Sequence, residues 1–209
     1  NFDISLYVDR KEARKMDPYA HFAMAAAAEC LQDSKLQLDT IDLDSIGVIW
    51  GSGIGGLTTF QTEVTAFAQG DGTPRFNPFF IPKMISNIAA GYISIRYGLR
   101  GASYATTSAC ASSTHAMIDA FNYIRLGKAK AYITGGSEAT INESGVGGFN
   151  AMKALSENND EMVSASRPFD GTRDGFVMGE GGVALLFEEY EHAIARGAKI
   201  YAEVAGGGM

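Results

Sequence analysis

Cys110 is the residue of this chain whose chemistry can be predicted most directly. It stands in the segment Ser108–Ser112, of sequence SACAS, after a segment, Tyr104–Thr107, that is β-branched and aromatic enough to form a short strand. The apolar residues of positions 116–126 then recur at helical spacing, and Gly127 is a typical C-terminal stop. The sequence therefore predicts a strand, a tight turn and a helix, with Cys110 at or near the start of the helix.

A cysteine in this position is suited to nucleophilic catalysis. Free N–H groups and the positive end of the helix dipole stabilise a thiolate, which is the nucleophilic form of the side chain. The small residues on either side leave room for a substrate. Free cysteine is also a common core residue, so the local pattern by itself leaves a structural role open. The second cysteine, Cys30, lies in an alanine-rich helical segment and is interpreted as a core residue.

A nucleophile usually needs a neighbouring base, and the sequence offers none beside Cys110. His115 follows five residues later, which on a helix turns its imidazole roughly 140° away from the cysteine. We therefore interpret His115 as a packing residue. The other two histidines, His21 and His192, lie on ordinary predicted helices. None of the three has metal-ligand spacing, and we expect neither a metal nor a cofactor.

A second candidate site is the glycine-rich segment Gly51–Gly56, of sequence GSGIGG. It fits the G-x-G-x-x-G pattern between a predicted strand, Ile46–Trp50, and a predicted helix, Leu57–Ala68. The acidic residue of a dinucleotide site, expected about 20 residues further on, would be Asp71, which stands in a turn with no strand before it. A dinucleotide-binding oxidoreductase stays open as an alternative. Otherwise the glycines allow a close backbone approach, with Ile54 as the one projecting side chain.

The composition is that of an ordinary globular domain with a sizeable core. The 209 residues are 46% hydrophobic and 20% charged, with a net charge of −7. There is no basic stripe for nucleic acid and no apolar run near the roughly 18 residues of a membrane helix. Two distant cysteines form no disulfide framework, which fits a cytoplasmic protein. The chain begins without methionine and stops in a glycine run after Val204, so we expect a fragment.

Predicted strands alternate with predicted helices, which indicates an α/β fold with a largely parallel sheet. The predicted strands are 46–50, 104–107, 129–134, 182–187 and 199–204, and the main predicted helices are 11–32, 57–68, 83–97, 116–126 and 189–196. Before the predicted strand 182–187 lie two polar segments, Ser166–Asp170 and Arg173–Gly181. They are interpreted either as a binding loop or as a network of arginine–aspartate pairs.

A series of short motifs resembles the β-ketoacyl-[acyl-carrier-protein] synthases, the elongating condensing enzymes of type II fatty-acid synthesis, and most closely their KAS II branch. Each motif is weak alone, but all of them occur in order over nearly the whole chain. They are GSGIGGL at Gly51–Leu57, PFFIP at Pro78–Pro82, YGLRG at Tyr97–Gly101, SACAS at Ser108–Ser112, GVGGF at Gly145–Phe149, SRPFD at Ser166–Asp170 with the stretch through Gly181, and EEYEHA at Glu188–Ala193.

The resemblance implies a thiolase-like α/β fold of two similar halves. Each half has a mixed, mostly parallel five-stranded sheet with helices on both faces. Residues 1–209 match most of the first half, as one N-terminal ketosynthase domain truncated at both ends. The family's opening strand, its catalytic histidines and its lysine are then expected outside this chain, so we expect the fragment itself to be inactive.

The same resemblance implies particular site residues. Cys110 matches the acyl-accepting nucleophile, and its N–H one oxyanion donor. Ile54 and Phe149 match acyl-pocket residues, and Gly145 lies near the pocket wall. Phe80 matches a pocket residue contributed across the dimer interface.

The implied reaction is a decarboxylative condensation of a Cys110-bound acyl group with malonyl-carrier protein, which gives a 3-oxoacyl product. The implied partners are acyl carrier protein and a second copy in a homodimer, with no nucleic acid and no membrane. Two related functions stay open. A non-catalytic partner of the chain-length-factor kind would lack the active cysteine. A polyketide-synthase ketosynthase would share it, although the contexts of Cys110 and of Gly145–Phe149 favour the fatty-acid branch.

Overall fold

A four-stranded mixed sheet organises the chain in the computed structural model, which describes residues 2–208. The strands are β1 (Ile46–Gly51), β2 (Ser103–Thr106), β3 (Ala131–Glu138) and β4 (Gly181–Glu188), in the spatial order β2-β1-β3-β4. Strand β1 pairs parallel with both β2 and β3, and β4 pairs antiparallel with β3. The α/β class and the mixed, mostly parallel sheet predicted from the sequence are therefore confirmed.

Helices cover both faces of this sheet. In chain order they are α1 (Arg10–Ala13), α2 (Pro18–Ser34), α3 (Leu57–Ala68), α4 (Phe80–Met84), α5 (Ile88–Tyr97), α6 (Ser112–Arg125), α7 (Glu143–Ala151), α8 (Met162–Ala165) and α9 (Tyr190–Ala195). Helices α2 and α5 pack on one face and α6 on the other. The sheet thus lies between two helical layers, as a largely parallel sheet requires.

Strand β1 is buried on both faces, and its alternate side chains enter two separate cores. Val48 and Trp50 belong to the larger core with α2 and α5, whereas Ile49 belongs to the smaller core under α6. The indole Nε1 of Trp50 is fully buried and donates to Ser137 Oγ at 3.0 Å. These contacts fix the carboxyl end of β1 relative to β3 and to the two helical layers.

Two helices predicted as continuous are each divided in two. The predicted helix 11–32 is interrupted before Asp17, whose buried carboxylate caps α2 and also accepts the N–H and the hydroxyl of Thr59 at 2.8 and 2.7 Å. Pro18 occupies the first turn of α2, where its missing N–H is tolerated. The predicted helix 83–97 is interrupted at Ile85, which is extended and accepts the hydroxyl of Tyr19 at 2.6 Å. A local cap and a tertiary contact together set the first break, and a tertiary hydrogen bond accompanies the second.

The predicted strand at 199–204 is wrong, and the described residues form four strands rather than five. A strand needs a neighbour with which to exchange backbone hydrogen bonds, and within the described residues the backbone of 199–204 makes none. The Tyr201 hydroxyl donates to Asp33 at 3.0 Å, and Gly207 packs so closely on Ile118 of α6 that an added Cβ would lie 2.7 Å from its Cγ1. Side-chain alternation alone did not make this segment a strand.

The carboxylate of Glu188 ties β4, α9 and α2 together. Its side chain is 7% exposed, accepts Arg196 Nε and Nη2 at 2.7 Å each, and is paired with His192 Nδ1. Arg196 also donates to the Ser34 carbonyl at the end of α2, at 2.9 Å. Burial would raise the pKa of Glu188, but the hydrogen bonds from Arg196 and His192 together outweigh it and hold the pKa below its ordinary value of 4.5.

This network predicts part of the acid sensitivity of the fold. The pKa of Glu188 is lowered on folding. Its contribution to the free energy of unfolding is therefore fully present above pH 4.5 and is lost as the pH falls through the folded-state pKa. Glu188→Gln in the intact protein should lower the free energy of unfolding by about 1–3 kcal/mol at neutral pH, and by less near pH 3. Urea unfolding between those pH values measures this difference. Glu203→Gln, on the exposed C-terminal segment, is the control, and a Glu188→Gln cost independent of pH would contradict the prediction.

Candidate active site

Cys110 lies in the turn between β2 and α6, and it is exposed. Helix α6 begins at Ser112 with Ala111 as its N-cap, so Cys110 precedes the first helical residue by two positions. Ala109 has a φ of +50°, a left-handed conformation that costs a non-glycine residue roughly 1–2 kcal/mol. Within residues 2–208 the N–H of Cys110 is hydrogen-bonded to no acceptor. The strand, turn and helix predicted from the sequence are present, with Cys110 at the helix start.

A buried hydroxyl holds this turn from inside. Ser112 Oγ accepts the N–H of Ser108 at 2.8 Å and donates to the Ala109 carbonyl at 2.7 Å, so one side chain joins both sides of the turn. Thr106 Oγ1 in turn donates to the Ser112 carbonyl at 2.7 Å. These contacts offset the strain at Ala109. Ser112 was not singled out in the sequence, although serine near a helix start commonly bonds nearby backbone groups in this way.

His115 takes part in the same network. Its Nδ1 lies 2.7 Å from Ser108 Oγ. The sequence predicted a packing role, and the half-buried ring does sit on α6, but it also anchors the turn through a hydrogen bond that helical spacing could not reveal. The geometry gives His115 a partner other than the thiol.

Two glycines allow α6 to sit directly on the carboxyl ends of the central strands. A Cβ on Gly51 would lie 2.4 Å from the Ser113 nitrogen, and one on Gly136 would lie 2.0 Å from Ser113 Oγ. Any larger side chain would push α6 away from the sheet. Since ligands of parallel α/β sheets bind beyond the carboxyl ends of the strands, this packing places Cys110 where a site is expected.

The glycine-rich segment lies against the nucleophile turn. Thr107 Oγ1 donates to the Ser52 carbonyl at 3.1 Å, and a Cβ on Gly53 would lie 3.4 Å from the Ala109 carbonyl oxygen. Ile54, between Gly53 and Gly55, is 45% exposed. The prediction of a close backbone approach with Ile54 projecting is therefore confirmed.

The N–H groups of this segment point at a carboxylate of the chain itself. Glu138, at the end of β3, accepts the N–H groups of Gly53, Ile54 and Gly55 at 2.7, 2.9 and 3.1 Å. In a dinucleotide site, the corresponding N–H groups would face a pyrophosphate. Because Glu138 already fills that position with negative charge, the geometry does not support dinucleotide binding. Glu138 is 85 residues from Gly53, and no local sequence pattern indicated the contact.

The remaining predicted pocket residues lie on α7 and α4. Gly145 is buried in the first turn of α7, where its N–H donates to the Asn142 cap at 2.8 Å and a Cβ would lie 2.0 Å from the Thr140 carbonyl oxygen. Phe149, further along α7, packs edge-to-face on Phe176 with ring centroids 5.1 Å apart. The Thr140 carbonyl therefore leaves no space for a side chain at Gly145, whereas Phe149 packs on an aromatic neighbour.

A cavity of about 600 Å³ opens beside these aromatic rings. It is lined by Ala154, Ser166, Arg167, Pro168, Phe169, Arg173, Gly175 and Phe176. Ile54, Phe149 and Cys110 are not part of this lining, so an acyl tunnel between Ile54 and Phe149 stays a prediction.

Phe80 belongs to an aromatic cluster on the surface formed by α3 and α4. Its ring stacks on Phe76 with centroids 5.0 Å apart and an interplanar angle of 12°, and lies 6.4 Å from the ring of Phe60. Further large apolar side chains of this surface are exposed, namely Val64, Phe67, Phe79 and Ile81. An apolar surface of this kind is typical of a protein–protein contact.

The polar stretch after α8 contains one arginine–aspartate ion pair and also lines the cavity, so a network and a binding loop both stay open as interpretations. Arg167 donates to Asp174 at 3.1 Å and to the Thr172 carbonyl at 2.7 Å. Asp174 also accepts the hydroxyl of Ser156 at 2.7 Å, and this bond lowers its pKa. The guanidinium and carboxylate mainly satisfy each other and the loop backbone.

The two cysteines are in different environments. Cys110 is exposed, whereas Cys30 is half-buried on α2, where burial raises the pKa of its thiol to about 11. A thiol with so high a pKa carries almost no thiolate at neutral pH.

Over residues 2–208, no group of three or more histidine, cysteine, aspartate or glutamate side chains could hold a metal ion. No helix in that range is long and apolar enough to cross a membrane.

Comparison with known proteins matches this arrangement to one family. Residues 2–193 match the family described as "Beta-ketoacyl synthase, N-terminal domain". The 3-oxoacyl-[acyl-carrier-protein] synthase 2 of Synechocystis sp. is 46% identical over 209 residues, which are all of this chain and 50% of that protein. The chain therefore spans about half the length of the curated relatives it matches.

Solved structures give the same result. A β-ketoacyl synthase from Burkholderia phymatum STM815 superposes with a TM-score of 0.88 at 34% identity, over 99% of this chain and 50% of the other. A chain of the AntDE:AntF complex, a type II PKS acyl-carrier protein with its ketosynthase, superposes with a TM-score of 0.78 at 23% identity, over 95% of this chain and 54% of the other, which is a likeness of fold. The sheet, the strand–turn–helix around Cys110 and these matches together establish that the chain belongs to the β-ketoacyl synthase family and carries its N-terminal domain.

Proposed function

We propose that the intact protein containing residues 1–209 is a 3-oxoacyl-[acyl-carrier-protein] synthase of type II fatty-acid elongation, with Cys110 as its acyl-accepting nucleophile. The observation that carries this proposal is the exposed thiol at the start of α6, in a turn held by Ser112 and overlaid by the loop that bears Ile54. Relatives that are 46% identical to this chain over its whole length carry that enzyme name.

The first step follows from the local chemistry. The Cys110 thiolate attacks the thioester carbonyl of an acyl group on carrier-protein phosphopantetheine, a C–S bond forms, and the carrier thiol leaves. The N–H of Cys110, which is hydrogen-bonded to no acceptor within residues 2–208, is available to stabilise the oxyanion. Such a donor contributes several kcal/mol to acyl transfer. Ile54 and Phe149 would contact the acyl chain, with Gly145 near the pocket wall.

In the second step, malonyl-carrier protein loses CO₂, and the resulting carbanion attacks the Cys110 thioester to release a 3-oxoacyl-carrier protein. Decarboxylation requires groups that stabilise the malonyl unit. In the family these groups are two catalytic histidines, which the resemblance locates outside this chain. We therefore propose that residues 1–209 alone are inactive.

The proposed partners are acyl carrier protein and a second copy of the protein. The enzyme name of the relatives, 3-oxoacyl-[acyl-carrier-protein] synthase 2, includes acyl carrier protein. The exposed aromatic surface around Phe80 supports a homodimer, because pairing would cover the side chains of α3 and α4 and bring Phe80 towards the partner's pocket. We propose a cytoplasmic location, in keeping with two unpaired cysteines.

The test is to incubate the intact protein with a saturated acyl-carrier protein and to measure its mass before and after. We expect the mass of one acyl group to be added, and peptide mapping to locate it on Cys110. Subsequent malonyl-carrier protein should release a single 3-oxoacyl product. No adduct, or an adduct on Cys30, would overturn the proposal. Repeated extension to a poly-β-keto chain would instead indicate the polyketide-synthase function.

A further inference from the structure

The carboxylate of Glu138 holds the glycine-rich segment through three backbone hydrogen bonds. The carboxylate Oε2 accepts the N–H groups of Gly53 and Ile54, and Oε1 accepts that of Gly55. Three consecutive N–H groups converge on one side chain only when the backbone takes a particular concave conformation. Gly55, with a φ of +81°, supplies the left-handed residue that this conformation requires.

Few other contacts fix this segment on its Glu138 side. Gly53 and Gly55 have no side chains to pack, so the backbone on either side of Ile54 is held mainly through its hydrogen bonds. On the opposite side, Gly55 and Gly56 lie against the end of α4, where a Cβ on Gly56 would lie 2.2 Å from the Lys83 carbonyl oxygen. Glu138 therefore closes one side of a segment whose other side already rests on α4.

We propose that Glu138 is a positioning residue for acyl-chain selection, which acts by fixing the segment that carries Ile54. This inference rests on the proposed function, in which Ile54 contacts the acyl chain. The carboxylate of Glu138 does not need to touch the substrate. It sets the position of Ile54 beside the nucleophile turn, through a loop that also bonds to Thr107.

Glutamine at position 138 tests this role with almost no change in size. One carboxylate oxygen becomes an NH₂ group, which cannot accept an N–H, so at least one of the three loop bonds is lost and a donor faces a donor. We expect the loop to shift while α6 and its Ser112 contacts stay in place. The change should then alter which acyl chains are accepted more than it alters the reactivity of the thiol.

The experiment measures the loading of Cys110 in the intact protein with saturated acyl-carrier proteins of increasing chain length. For Glu138→Gln we expect the ratio of kcat/KM between the longest and shortest accepted chains to change about tenfold, the size of effect that small changes in an apolar pocket produce. Glu189→Gln is the matched control, because the Glu189 carboxylate accepts the N–H groups of Glu191 and His192, at 3.2 and 3.0 Å, and no N–H of the glycine-rich segment. Its ratio should equal that of the wild type.

A double-mutant cycle asks whether the effect passes through Ile54. In an Ile54→Ala background, Glu138→Gln should produce no further change in the chain-length ratio, since residues that act through one another are non-additive. Hydrogen exchange should also be faster at the amides of positions 53–55 in Glu138→Gln than in the wild type. Additive effects on the ratio, or unchanged exchange, would overturn the proposed role.

The outcomes separate this inference from the function on which it rests. If the wild type does not load at Cys110, both proposals fail. If the wild type loads and Glu138→Gln leaves the ratio unchanged, only the role of Glu138 fails. Should Glu138→Gln be too unstable to assay, Glu138→Asp keeps the charge with a shorter reach, and we expect it to shift the ratio in the same direction by less. An unchanged ratio in that variant would also overturn the inference.

Discussion

Replacement of Cys110 by alanine in the intact protein is expected to abolish acyl loading and to lower condensation by at least about 10³-fold. Alanine keeps the small size that the turn requires but removes the only group there that could form the thioester. In enzymes with a covalent intermediate, loss of the nucleophile removes most of the catalysis, and the remainder comes from binding and the oxyanion donors. Intact-mass measurement of loading and a product assay with malonyl-carrier protein check the two parts.

Cys30→Ala is the matched control for this experiment. The two cysteines are the only ones in the chain, and Cys30 is half-buried on α2 with its thiol pKa raised to about 11 by burial. We expect this variant to load normally, with a small loss of stability from the packing change. Normal loading by Cys110→Ala, or loss of loading in Cys30→Ala with the fold intact, would contradict the assignment of the nucleophile.

Gly51→Ala is expected to damage both the fold and the site. Its Cβ would lie 2.4 Å from the Ser113 nitrogen and 2.5 Å from the Ser112 carbonyl carbon, so β1 and the start of α6 would have to separate. Backbone atoms cannot rotate away as the end of a flexible side chain can. Overpacking of this kind costs about 1–3 kcal/mol or more. Displacement of a reacting group by about 1 Å can cost 10²-fold in rate.

Urea unfolding and Cys110 loading, measured on the same preparation, check this prediction. Gly91→Ala on α5 is the control, because the nearest atom to its added Cβ is Ile88 Cδ1 at 3.8 Å and alanine is the better helix former. We expect its stability to be unchanged or raised by up to about 1 kcal/mol, with normal loading. Wild-type loading by Gly51→Ala would mean that α6 tolerates displacement, and the packing argument would fail.

Several features of the fold follow from local sequence. Helix α3 has the predicted bounds, Leu57–Ala68, because its helical pattern starts after a glycine-rich segment and ends before Gly70. The strand and helix around Cys110 were likewise predicted from neighbouring residues. The break before α2 carried a readable local signal, an aspartate followed by proline, that the periodicity of positions 11–32 concealed. The strand predicted at 199–204 failed because strand formation depends on a partner edge.

The sequence by itself determined the α/β class, the family resemblance and the prediction of Cys110 as the nucleophile, since each depends on residue types at short spacing. Only the tertiary structure decided that Glu138 holds the segment around Ile54, that His115 bonds Ser108 and that Gly51 and Gly136 admit α6 onto the sheet. The first and last of these contacts join residues far apart in the chain, and the second depends on how the turn before α6 folds back. Local patterns report propensity and burial, whereas such contacts depend on where folding brings distant atoms together.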